Sequence, residues 1–159
     1  RAKLRDICDR LINLKQAMKN CEEKVTEELH PEGEPLGYSG TDLANHYIKR
    51  IEDCEKEIDD MNKFFDSLTD DEIFELLTIM YTGRDEMLPH EGKERDPEMY
   101  DEYGDYTGEL EEEEEPITFE DAFNFYKKSN NRDGAEFSLR GKAQLIDYLK
   151  SGMNYFSIY

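Results

Sequence analysis

The chain has 159 residues, enough for one domain with a sizeable core, and its 40 acidic against 20 basic residues give a formal charge of −20. That charge argues against nucleic acid and anionic membrane as direct partners, and it favours a basic protein partner or a surface that imitates nucleic acid. No apolar run approaches a membrane span and no secretory segment is visible, so the expected setting is the cytoplasm.

Residues 3–29 read as one long helix. Leu4, Leu11, Met18 and Val25 recur every seven residues, with Ile7, Leu14 and Cys21 between them, which is a heptad seam. The stretch 30–40, HPEGEPLGYSG, is a connection by its prolines and glycines. Residues 41–67 repeat the heptad: Ala44, Ile51, Ile58 and Phe65 alternate with Tyr47, Cys54, Met61 and Leu68, and Ser39 or Thr41 starts the helix. Two such helices joined by a short loop predict an antiparallel hairpin over 1–67. Its apolar stripe is wider than a two-helix seam, because Leu29, Leu43, Ile48 and Phe64 fall beside the seam. Either a further helix or a second copy has to cover them.

Cys8, Cys21 and Cys54 form an odd set without CxxC spacing, which reads as reduced thiols. A hairpin closing near residue 35 sets Cys21 level with about residue 49, roughly 7 Å along the axis from Cys54, so no bridge between them is expected. No histidine stands at ligand spacing from a cysteine, so no zinc site is predicted. His46 falls on the solvent side of its heptad, and His30 and His90 lie in loops beside proline. No catalytic constellation and no phosphate-binding glycine loop can be named, and no cofactor is implied.

The most apolar run is 68–83, LTDDEIFELLTIMYTG. Thr69 and Glu72 make a capping box, Gly83 is placed as the helix stop, and Ile73, Leu76, Leu77 and Met80 line one face. Phe74, Ile79 and Tyr81 make a second apolar line, so this reads as a buried central helix. Arg84 and Asp85 follow directly as a candidate binding pair with Arg84 open to an anion; the simpler reading has Arg84 serving the helix's last carbonyls. Residues 85–116 form an acidic loop, with Glu111–Glu115 its low-complexity piece. Tyr100, Tyr103 and Tyr106 recur every third residue there as a candidate partner-recognition segment. The acids around them lack the spacing of a calcium loop.

Order returns at Ile117. Thr118 with Asp121 caps a helix carrying Phe119, Ala122, Phe123 and Tyr126, and SNNRDG at 129–134 is a turn. A last helix is expected from Gly141 to Ser151, with Gly152 as its stop and with Leu139, Ala143, Ile146 and Leu149 facing the core. The apolar tail MNYFSIY either docks on the body or adds a short extended piece. The predicted class is all-α: a long heptad hairpin over 1–67 packed with a smaller helical part over 68–159.

The pattern L-T-x-D-E-x-x-E-L-x-x-x-M-Y-x-G-R-D over Leu68–Asp85, followed by Glu120, Asp121 and Ala122 and then by Asp147, Tyr148, Leu149 and Gly152, resembles the core of a bacterial family of uncharacterised helical proteins. The resemblance spans about residues 65–155. It implies a helical fold in the bacterial cytoplasm and brings no catalytic residues.

The functional expectation is therefore a protein–protein interaction module, a dimer formed through the hairpin with Leu29, Leu43, Ile48 and Phe64 at the interface. The alternatives are an acidic nucleic-acid mimic that inhibits a DNA-binding protein, and an enzyme with an unrecognised site.

Overall fold

A computed structural model of the protein describes residues 1–33, 37–88, 98, 101–104 and 116–159. Among these residues there are seven helices and no strand: α1 (Ala2–Leu29), α2 (Gly40–Asp53), α3 (Glu55–Asp66), α4 (Asp70–Met87), α5 (Phe119–Ser129), α6 (Arg132–Gly141) and α7 (Leu145–Tyr155). The class is all-α.

The central position belongs to α4. Its start is fixed as the sequence requires: the Thr69 hydroxyl accepts from Glu72 N at 3.2 Å, and the Glu72 carboxylate accepts from Thr69 N at 2.9 Å. Asp70, Asp71 and Glu72 sit in the first turn and Arg84 in the last, signs that suit the helix dipole. Ile73, Phe74, Leu76, Leu77, Ile79 and Met80 are all buried, so both apolar lines are covered. Thr78 is buried with them and donates its hydroxyl proton to Phe74 O at 2.7 Å, which leaves no unsatisfied group. The main core joins these residues to Leu4, Ile7, Cys8 and Leu11 of α1, to Phe64 and Phe65 of α3, and to Leu139 and Leu149 near the C-terminus.

Gly83 does not end α4. The helix runs through it to Met87, and Gly83 packs backbone-to-backbone against α7. A Cβ built on Gly83 would land on the Tyr148 carbonyl and lie 2.7 Å from Gly152 N. A Cβ on Gly152 would in turn strike the Ile79 carbonyl. The pairing of 79 with 152 and of 83 with 148 makes the crossing antiparallel. Both glycines mark a close approach of two helices rather than a left-handed turn.

The end of α7 lies three residues past Gly152, at Tyr155. Ser157 takes φ 53°, its amide donates to Asn154 O at 3.2 Å, and Ile158 N donates to Met153 O at 2.8 Å. This is a Schellman stop with serine in the place usually held by glycine, and its accompanying apolar contact is supplied by buried Met153 and Ile158. The tail therefore docks on the body. Its register also shifts the core face: Leu145 is buried where Ala143, expected inside, is exposed.

The turn expected over 129–134 shrinks to Asn130 and Asn131, because the Asn131 side chain caps α6 by accepting from Gly134 N at 2.7 Å. Arg132 then ties three elements together, donating to Asp70 Oδ1 at 2.7 Å, to Phe65 O at 3.0 Å and to Glu136 Oε1 at 3.1 Å. Thr118 caps α5 as expected, accepting from Asp121 N at 3.2 Å.

The second heptad helix is not continuous. It breaks at Cys54 (φ −107°, ψ 22°) into α2 and α3. Below the break α3 feeds the main core through Met61, Phe64 and Phe65. Above it α2 has no buried residue. Met18, Val25 and Cys54 make a small separate cluster between α1 and the break, with Leu29 packed against it.

Two measurements check this packing. Gly83→Ala and Gly152→Ala should each lower the urea midpoint sharply, a loss of about 3 kcal/mol or more, because overpacking here meets backbone that cannot rotate aside. Gly141→Ala, where a Cβ meets nothing within 4 Å, should be neutral or stabilise. Glu75, half-buried on α4, has its carboxyl raised by burial and then by the neighbouring Glu72 and Asp71 charges. A raised folded value means that its ionisation opposes folding at neutral pH, and that this penalty fades as pH falls through the folded value toward the ordinary 4.5. Glu75→Gln should be more stable than wild type at about pH 7, with the difference gone by about pH 4.

Candidate interaction surface

Helix α2 begins at Ser39, whose hydroxyl accepts from Asp42 N at 3.1 Å while Asp42 accepts from Ser39 N at 3.2 Å. The Ser39 hydroxyl also donates to Asp42 Oδ2 at 2.8 Å, and this bond first, then the one from Ser39 N, holds the Asp42 carboxyl below its ordinary range. The helix then docks on α1 through polar residues. Arg50 Nε meets Glu22 Oε1 at 2.7 Å, Lys49 Nζ meets Glu28 Oε2 at 2.8 Å, and His46 Nε2 lies 3.0 Å from Thr26 Oγ1. The Thr26 hydroxyl directs its own proton to Glu22 O at 3.1 Å, so His46 is the donor to it. His46 is thus half-buried against α1, not turned to solvent.

The apolar stripe of α2 sits about a third of a turn away from this contact, at 100° per residue. Leu43 is 57% exposed, Tyr47 62%, Ile48 52% and Ile51 44%. Tyr47 and Ile51 carry the heptad pattern and were expected inside the hairpin. They lie outside because α1 offers α2 Glu22, Thr26 and Glu28, and these draw Lys49, Arg50 and His46 inward. The sequence does hold that complementary set, but hydrophobic periodicity outweighs it in a one-dimensional reading.

The four residues expected at an interface divide accordingly. Leu43 and Ile48 are exposed. Phe64 is 2% exposed, covered by the core, with Phe65 edge-on at 5.4 Å and the Arg10 guanidinium 5.3 Å from its ring. It cannot serve an interface. Leu29 is half-buried in the small cluster beneath Cys54.

Cys21 and Cys54 are disulfide-bonded, with Cα atoms 6.0 Å apart, which corrects the expectation of reduced thiols and no bridge. The Glu22–Arg50 and Thr26–His46 contacts set Cys21 opposite about residue 51, not 49, and the break in the helix falls at Cys54 itself. The axial offset thereby drops to about 4.5 Å. The Glu57 carboxylate lies within 4.8 Å of both sulfurs. Sulfurs joined to each other are not thiolate ligands, so the trio is no metal site in the oxidised protein. Cys8 remains free and fully buried, its thiol pushed up to about 12, first by burial and then by Asp9 and Glu75.

The other candidates are dispersed. Arg84 and Asp85 lie inside the last turn of α4. The guanidinium is engaged by its neighbour, Nε and Nη2 reaching Asp85 Oδ1 at 3.2 and 3.1 Å, and it stacks 4.6 Å from the Tyr81 ring. Tyr103 is 81% exposed and far from forming a packed anchor. Tyr100 and Tyr106 lie outside the described residues, as does the Glu111–Glu115 run. Between α4, α5 and α7 there is a recess of about 370 Å³ lined by Phe125, Tyr126 and Tyr155 together with Asp85, Glu86 and Asp121. Tyr155 Oη accepts from Ile117 N there at 2.9 Å.

Set against known proteins, the chain matches no family model, no curated protein and no solved structure.

The thiol assignments are directly countable. Protein unfolded without reductant should react with one equivalent of a thiol reagent per chain, and with three after reduction. In the folded state Cys8 should resist alkylation at about pH 8, since almost none of it is thiolate.

Proposed function

We propose that this chain is a protein–protein interaction module that self-associates through the exposed face of α2, its helical fold being in keeping with the bacterial family that its central motif resembles. The observation that carries the reading is the stripe Leu43, Tyr47, Ile48 and Ile51, four large apolar side chains each more than two-fifths exposed on one amphipathic helix. An apolar face rimmed by charge is a feature that partner surfaces share and single chains usually avoid. Burial contributes roughly 25 cal/mol per Å², so two such stripes laid antiparallel favour association.

Charge is the opposing term, since two chains bring together twice the formal −20. Locally the opposition is small. Along α2, Lys49 and Arg50 stand against Asp42, Glu52 and Asp53, close to balance, and distant charges are screened beyond about 8 Å at physiological salt. The short-range apolar term therefore outweighs the repulsion.

The two alternative readings have less support. A nucleic-acid mimic needs free carboxylates arrayed on a fixed face, whereas Glu22, Glu28, Asp70, Asp71 and Glu136 are each paired with a lysine or arginine. For an enzyme, the half-buried Glu75 shares with Arg1 a cavity of about 150 Å³ lined by Leu4, Phe119, Phe156 and Ile158, below the usual size of a ligand pocket.

Light scattering at several protein concentrations in physiological salt tests the dimer. The mass should rise with concentration from 18.8 kDa toward twice that value. Ile48→Glu should return it to the monomer, while Phe64→Ala should lower stability by about 3–5 kcal/mol through a core cavity. A mass fixed at 18.8 kDa across the range rules the proposal out.

A further inference from the structure

We infer that the Cys21–Cys54 bond is a redox-operated clasp that holds α2 against α1, and that a dithiol releases this helix while the rest of the fold stays intact. Three observations meet at this point. First, α2 is the one described helix that puts no residue into a core; α3, α5, α6 and α7 all do. Second, its non-covalent ties to α1 are weak in kind. The Arg50–Glu22 and Lys49–Glu28 pairs have side chains 29–61% exposed, and Lys49 divides itself between Glu28 and Asp53, both at 2.8 Å. Half-exposed ion pairs add little stability. A helix of 14 residues is marginal in water without tertiary support. Third, the covalent tie sits at the C-terminal end of α2, at the very residue where the helix breaks from α3.

The bond is also reachable. Cys54 is fully buried, but Cys21 is half-buried and lines an open cleft of about 470 Å³ with Asn20, Lys24 and Glu57. An incoming thiolate of a dithiol therefore attacks the Cys21 sulfur. The S–S bond breaks, Cys54 leaves as the thiolate and takes up a proton, and the reductant is joined to Cys21 as a mixed disulfide. The second thiol of the reductant attacks its own sulfur in that mixed disulfide and releases Cys21. The protein gains two electrons and two protons, and the dithiol becomes an intramolecular, cyclic disulfide. Released, α2 is held to α1 only by its polar contacts with Glu22, Thr26 and Glu28. The main core contains no atom of this bridge, because Cys54 belongs to the small cluster with Met18 and Val25.

The inference is separate from self-association, and its test runs at concentrations where light scattering gives a monomer. Amide hydrogen exchange is followed by mass spectrometry on the full chain, oxidised and after treatment with dithiothreitol, with three thiols counted to confirm reduction. Exchange across residues 40–53 should quicken about tenfold or more on reduction, while peptides of α4 and α7 keep their protection. Cys54→Ser without reductant should reproduce the reduced pattern, and Cys8→Ser should leave the oxidised pattern and its response to reductant in place. Unchanged protection of 40–53 in the fully reduced protein overturns the inference. So does a parallel loss in α4 and α7, which would make the bridge a support of the whole fold.

Discussion

The structure depends on the contact between Gly83 and Gly152. At this crossing the α4 and α7 backbones come so close that a single added carbon on either glycine would occupy a carbonyl of the other helix. Close approach lets the flanking side chains interdigitate on both sides, with Ile79 and Met80 on α4 and Leu149 and Met153 on α7 all buried. It also carries the C-terminal tail to the core, where Phe156 and Ile158 complete it. The other helices arrange themselves around this pair: α5 and α6 flank α4, and α1 and α3 close the remaining side.

Away from that crossing the packing changes in character. The first half of α1 and the C-terminal part of α3 share the main core, but the second half of α1 meets α2 through charge, a histidine–threonine contact and one disulfide. The protein thus has a densely packed end and a loosely held one. Surface ion pairs position a helix without anchoring it, so the covalent bond has an importance at this end that it would lack within the main core. The same loose end bears the exposed apolar stripe. The candidate surface and the least anchored helix coincide, as expected where stability and recognition compete for the same side chains.

The strongly acidic composition acts on this protein mainly at long range. Near α2 positive and negative charges nearly balance, and the basic residues Lys49 and Arg50 are turned toward Glu22 and Glu28 of α1. Acids elsewhere are used locally: Glu72 and Asp42 cap helices, and Asp70 and Glu136 hold Arg132 at the junction of α3, α4 and α6.

By itself the sequence determined the helical class, the capped starts of α4 and α5, and the burial of α4 on two sides, and it narrowed the start of α2 to Ser39 or Thr41. These follow from short-range rules, since a capping box needs only four residues and an apolar stripe only the helix period. It also marked Leu43 and Ile48 as positions that the hairpin alone would leave uncovered. Tertiary structure decided what local rules cannot encode. A glycine near a helix end reads as a stop, whether it ends the helix or admits a neighbour, and only the presence of α7 told these apart for Gly83. Gly152 was misread in the same way, and the true stop was Ser157, a residue with little intrinsic preference for the left-handed conformation it adopts. A heptad repeat gives the face of a helix but not its rotation about its own axis. For α2 that rotation was set by Glu22, Thr26 and Glu28 across the interface, which turned Tyr47 and Ile51 outward and brought Cys54 to Cys21.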